Sequence, residues 1–121
     1  MITIKQFSDV EIRVGQVIEA VNKEGSEKLI RLTVDFGPTS PEASRDVRII
    51  FTGVRTFGFE AEYFLNKKFL FVTNLEFRKM MDKESQGMIL AVDPTSPSAS
   101  LGASKPIFVE VPDLPVGAKV R

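Results

Sequence analysis

The residues best suited to chemistry lie between Asn74 and Ala91, in the string NLEFRKMMDKESQGMILA. Arg78 offers a planar fork of donors to phosphate oxygens and Lys79 a point charge, while Asn74, Ser85 and Gln86 can hydrogen-bond sugar hydroxyls or base edges. Phe77 can stack on a base. The same string carries a second possibility, because Phe77, Met80, Met81 and Met88 form the kind of soft apolar surface that adapts to many peptide sequences. A plainer role stands beside both: a polar strand connection whose methionines and Phe77 cap the end of a β structure. Asp82 and Glu84 interrupt the basic run and favour that plainer role. Lys28, Arg31, Arg48 and Arg55, taken singly, read as solvent contacts on strand faces.

Other chemistry is excluded by composition. Histidine and cysteine are both absent, which removes cysteine zinc ribbons, Ser-His-Asp triads and Cys–His nucleophiles together. Carboxylates such as Glu60, Glu62, Asp82 and Glu84 read as solvated surface, and the sequence has no phosphate-cradling glycine loop and no metal-ligand spacing. The chain is expected to bind rather than catalyse, and to need no cofactor. Its 16 basic and 16 acidic side chains cancel, so a broad basic face for nucleic acid is not expected and any phosphate binding must be local.

These residues need a scaffold, and apolar spacing supplies one. Residues 28–36 place Ile30, Leu32, Val34 and Phe36 on one face, the period of a half-buried strand. Residues 46–54 repeat the pattern with Val47, Ile49 and Phe51. Residues 67–75 are apolar on both faces, 86–93 form another strand, and 106–111 a late edge strand headed by a proline. The first strand, 12–21, has Gly15 in its interior, where glycine marks a bulge or coil. Short helical pieces are expected at 4–7 and within 57–66. Five strands with a helical connection after the third give the order of a five-stranded Greek-key OB barrel; an SH3-like barrel or an open sandwich fits the pattern equally well. All 121 residues form one domain. The Ser/Pro-rich segments 37–45 and 94–105 read as mobile loops. No stretch approaches the roughly 20 apolar residues of a membrane helix, and the amino terminus lacks a signal peptide, so a cytoplasmic location without membrane contact is expected.

Three segments resemble a known family. Phe7 with Glu11-Ile12-Arg13-Val14-Gly15, Arg48-Ile49-Ile50-Phe51-Thr52-Gly53, and Asn74-Leu75 through Arg78-Lys79-Met80 to Glu84-Ser85-Gln86-Gly87-Met88 are similar to the tRNA-binding domain found at the carboxyl end of bacterial methionyl-tRNA synthetases, in free-standing tRNA-binding proteins and in CsaA-type export chaperones. The resemblance implies an all-β OB barrel, dimeric when it stands alone through its amino-terminal helix and carboxyl-terminal strand, that binds tRNA by shape. Carried over by position, the RNA face holds Lys28, Arg48, Asn74, Arg78, Lys79, Ser85, Gln86 and Met88. The implied partners are tRNA, a second copy of the chain, and a synthetase; in the CsaA-like alternative, an unfolded polypeptide would meet Phe77, Met80 and Met81. The chain departs from the family at Glu24 to Leu29, where a His-Pro is usual, at Phe77, where proline is usual, and at Met81-Asp82-Lys83, where an Arg-Gly is usual.

Overall fold

The structure is a computed structural model that describes residues 1–94 and 105–121. Strand β1 (Ile12–Asn22) is the organising element because it serves two partners in succession. Its first part, Ile12 to Gln16, runs antiparallel to β4 (Lys68–Val72), and from Gln16 onward it pairs with β2 (Ile30–Pro38). β2 in turn pairs with β3 (Arg45–Thr52), and β4 with the short β7 (Met88–Ile89), giving the sheet order β3-β2-β1-β4-β7. This curled five-stranded sheet is an OB barrel. The remaining short strands are β5 (Arg78–Met80), β6 (Lys83–Ser85), β8 (Ala91–Val92) and β9 (Ile107–Phe108).

The barrel's edge strands, β3 and β7, do not meet through a regular ladder. Side chains take its place: Gln86 donates its backbone N–H to the Ile49 carbonyl (2.8 Å), the Ile49 N–H donates back to Gln86 Oε1 (2.8 Å), and the Phe51 N–H donates to Ser85 Oγ (3.0 Å). A strand edge left without partners would cost free energy for each buried amide. Ser85 and Gln86 remove that cost by imitating a neighbouring strand.

Alternation in β2 is carried out as the sequence reads, with Ile30, Leu32, Val34 and Phe36 all fully buried. In β3 the face is reversed. Ile50 enters the core, whereas Val47 is exposed and Ile49 and Phe51 face outward beneath the β5–β6 hairpin, which is what buries Phe51. A period of two fixes only that faces alternate; covering the outer face with a hairpin made both faces apolar and the parity ambiguous.

Gly15 also has a different role from a bulge. The register slips three residues later, between Val17 and Glu19. A Cβ on Gly15 would stand 2.5 Å from Val34 and 2.7 Å from Phe36, so the glycine makes room for the aromatic pair Phe36–Phe71, whose rings meet edge to face at 5.3 Å. Gly15→Ala is expected to destabilise the domain by about 1–3 kcal/mol through overpacking, read as a lowered midpoint in urea unfolding.

Elsewhere the expected elements shift modestly. The amino-terminal helix α1 (Ile4–Ser8) carries a capping box between Thr3 and Gln6. The helical connection is two single 3-10 turns, Arg55–Phe57 and Ala61–Tyr63, after which Phe64 is fully buried. The last barrel strand splits at Leu90, with β7 on β4 and β8 on β9, and β9 brings Phe108 into the aromatic core against Phe59, Phe64 and Phe69. The 37–45 segment is tied at its base, where Arg45 Nε meets the Asp35 carboxylate at 2.8 Å. The Ser/Pro segment 94–105 lies almost wholly outside the described residues.

Candidate nucleic-acid interface

β5 and β6 form a hairpin closed by Met81 and Asp82, with Met80 paired to Lys83. So tight a connection needs left-handed backbone, which Met81 adopts at φ +62° although glycine is the usual choice. The tip rests on the β1–β2 turn. Met81's terminal methyl lies over Gly25, and Lys23 Nζ meets the Asp82 carboxylate at 2.9 Å. That ammonium holds the Asp82 carboxyl below the usual range.

Between turn and hairpin runs a groove of about 700 Å³ with Ile49 and Phe51 among its lining residues. Lys23, Arg31 and Lys83 line it together with Glu24, Asp82 and Glu84, and Arg31 is tied to Glu19 at 3.1 Å. In OB folds this surface, bordered by the first turn and the fourth connection, receives oligonucleotides. Sequence reasoning missed Lys23 and Lys83, and read Arg31 as a solvent contact.

The sequence-derived site residues separate into two sets. Arg78 and Lys79 stand exposed on the hairpin and Lys28 on the turn against which it rests, and none has an ion-pair partner among the described residues. Phe77, Met81 and Met88 are also exposed, at 51, 55 and 46 %, while Met80 is half-buried.

The other set has its polar atoms engaged within the chain. Ser85 is buried and Gln86 half-buried in the barrel seam. Asn74 accepts from the Glu11 N–H at 2.7 Å and donates to the Asp9 carbonyl at 2.6 Å, anchoring the end of α1 to β4. Arg48 is held most completely. It forks onto Asp46 (3.0 and 3.1 Å), donates to the carbonyls of Thr73 and Gln86, and lies 5.5 Å from the centre of the Phe36 ring.

Arg48 belongs to a charged cluster at the barrel end away from the hairpin tip. Buried Arg13 shares Asp46 at 3.1 Å and packs on the same Phe36 ring, and Glu11 accepts from Thr73 Oγ1 at 2.6 Å with Lys119 and Arg13 nearby. The Thr73 hydrogen bond, aided by the three cations, holds the Glu11 carboxyl below its ordinary 4.5. Burial alone would raise Asp46, but Arg48 and Arg13 outweigh it and hold that carboxyl below 3.8. A carboxylate depressed in the folded state stabilises above its unfolded pKa and loses that contribution as pH falls. Stability is therefore expected to be level near neutrality and to drop as pH falls below about 5, seen as a falling thermal midpoint; Glu11→Gln/Asp46→Asn should flatten the drop.

The family model described as "Putative tRNA binding domain" matches residues 12–119. The chain belongs to this family. Among its relatives are a methionine–tRNA ligase of Caldanaerobacter subterraneus, 38 % identical over 106 residues that make up 88 % of this chain and 15 % of the ligase, and one of Methanococcus maripaludis, 33 % identical over the whole chain and 16 % of the ligase. The chain thus spans about 15 % of the length of these curated relatives. A solved MetRS related protein from Pyrococcus horikoshii superposes with a TM-score of 0.83 at 32 % identity, covering 100 % of this chain and 98 % of that one. The chaperone CsaA of Bacillus anthracis shares the fold, with a TM-score of 0.75 at 20 % identity and coverage of 100 and 99 %. The tRNA-binding-domain family is one of binding, not catalysis, and among the described residues no cluster of His, Cys, Asp or Glu could hold a metal ion. No described helix is long and apolar enough to cross a membrane.

Proposed function

We propose that this domain is a non-catalytic, structure-selective tRNA-binding module. Arg78 and Lys79 on the hairpin and Lys28 on the turn neutralise phosphates, and the curved surface favours folded RNA through its backbone rather than its sequence. The observation that carries this reading is the exposure of those three cations without intramolecular partners among the described residues, while Lys23 and Arg31 beside them are paired. Arg48, Asn74, Ser85 and Gln86 then serve RNA binding by holding the hairpin and barrel in shape. The domain acts in the cytoplasm, alone or beside a synthetase, adding tRNA affinity.

Three phosphate contacts correspond to a log–log salt slope of roughly 2 to 3. Filter binding of total tRNA over a salt series tests this, and binding that ignores salt would refute it. Suppressed aggregation of an unfolded client would instead favour a polypeptide as ligand, on the exposed Phe77, Met81 and Met88.

A homodimer is part of the same proposal. Ile4, Phe7, Val10 and Val120 leave an apolar cleft of about 290 Å³ between α1 and the carboxyl-terminal segment, and two copies would place two RNA faces on one particle. Light scattering should give twice the 13.5 kDa chain mass, with Phe7→Glu shifting it to the monomer.

A further inference from the structure

The contact between Lys23 and Asp82 joins the two sides of the groove. Lys23 lies near the end of β1, its side chain only 12 % exposed, with its ammonium donating to Asp82 at 2.9 Å and to the Glu24 carbonyl at 3.2 Å. Asp82 sits opposite on the hairpin tip with its side chain 68 % exposed. It is poised there by the left-handed Met81 before it. Both residues line the groove. With Asp82 open to solvent the pair adds only modestly to stability, so its main consequence is for whatever enters between the two walls.

We propose that Asp82 limits the domain's affinity for RNA. This rests on the tRNA-binding reading. The carboxylate acts twice: it places a negative charge at the groove's mouth, where phosphate approaches, and it withholds Lys23, which would otherwise be the cation on the turn side nearest the hairpin. Neutralising Asp82 frees the Lys23 ammonium to swing toward a phosphate. The number of contacts then rises by one, and a cation–anion attraction replaces a repulsion.

The test is a salt series of tRNA filter binding on the full chain, with three variants and a thermal melt of each. Asp82→Ala is expected to bind about three- to tenfold tighter at moderate salt and to steepen the log–log slope by roughly 0.7 to 0.9, the signature of one added phosphate contact. Lys23→Gln alone should weaken binding modestly without lowering the slope, because the paired Lys23 makes no phosphate contact and its loss leaves the Asp82 carboxylate unneutralised. The double variant should return to the slope of the unmodified domain. Should the melt show that Asp82→Ala disturbs the hairpin, Asp82→Asn carries the comparison with the turn intact.

Unchanged affinity and slope in Asp82→Ala, with salt-dependent binding by the unmodified domain, would overturn the proposal and leave tRNA binding standing. A steeper slope that persists in the double variant would also overturn it, since Lys23 would not be the withheld cation. If neither the unmodified domain nor Asp82→Ala binds tRNA, the tRNA-binding reading itself fails and the proposal with it. Binding that emerges only in Asp82→Ala supports it.

Discussion

Arg78→Ala/Lys79→Ala is expected to lower tRNA affinity by at least about tenfold at moderate salt and to reduce the log–log slope by roughly 1.5, two phosphate contacts being lost. The folded state should barely change. Both side chains are exposed, neither is in an ion pair among the described residues, and the hairpin registers Arg78 on Ser85 and Lys79 on Glu84 through backbone pairing that alanine preserves. Surface substitutions of this kind stay within about 0.5 kcal/mol of the parent, so urea unfolding should superpose on the unmodified curve. Intact stability with lost, salt-sensitive binding is the outcome that separates a contact residue from a scaffolding one. Unchanged binding would remove the hairpin cations from the RNA face and leave the exposed Phe77 and Met81 as its distinguishing feature.

Arg48→Ala is expected to do the reverse, destabilising the domain by about 3 kcal/mol. The substitution leaves the carbonyls of Thr73 and Gln86 without the guanidinium donor, removes one of two cations from Asp46, and uncovers the Phe36 ring. Gln86 is also a seam residue, so the loss is felt where β3 meets the barrel's far edge. Arg48→Lys should recover little, because an ammonium cannot fork onto Asp46 and reach two carbonyls at once. Chemical denaturation measures the loss directly. A fully stable Arg48→Ala domain with weakened tRNA binding would instead make Arg48 a contact residue, as position in the family string suggests.

The two substitutions show why some of the site was legible and some was not. The exposure of Arg78, Lys79 and Lys28 was legible from residue type, because a solvated cation needs no knowledge of a partner. Arg48, Asn74, Ser85 and Gln86 looked equally suited to a ligand, since the donors that bind a phosphate or a base edge are the same donors that satisfy a backbone carbonyl or amide. Only proximity separates the cases. The carbonyls that Arg48 bonds lie 25 and 38 residues away and the partners of Asn74 63 and 65 residues away, distances at which no local pattern operates. The groove was hidden for a related reason: Ile49 and Phe51 alternate with Ile50, and parity alone does not say which side the hairpin covers.

What the sequence determined by itself was the strand period and, through its resemblance to the tRNA-binding-domain family, the OB barrel. The alternation of Ile30, Leu32, Val34 and Phe36 sets a buried face, and the run Glu11-Ile12-Arg13-Val14-Gly15 marks the strand on which the sheet turns. Its glycine leaves space for Phe36 and Phe71, and its arginine fills the barrel end against Asp46. The tertiary structure decided which polar groups remain available to a ligand. Free energy favours pairing a desolvated donor within the fold over leaving it open, so the closed seam took Ser85 and Gln86, the barrel end took Arg48, the α1 anchor took Asn74, and Asp82 took Lys23. With those groups engaged, the cations that the turn and hairpin still hold out to solvent are Lys28, Arg78, Lys79 and Lys83, interleaved with exposed acids.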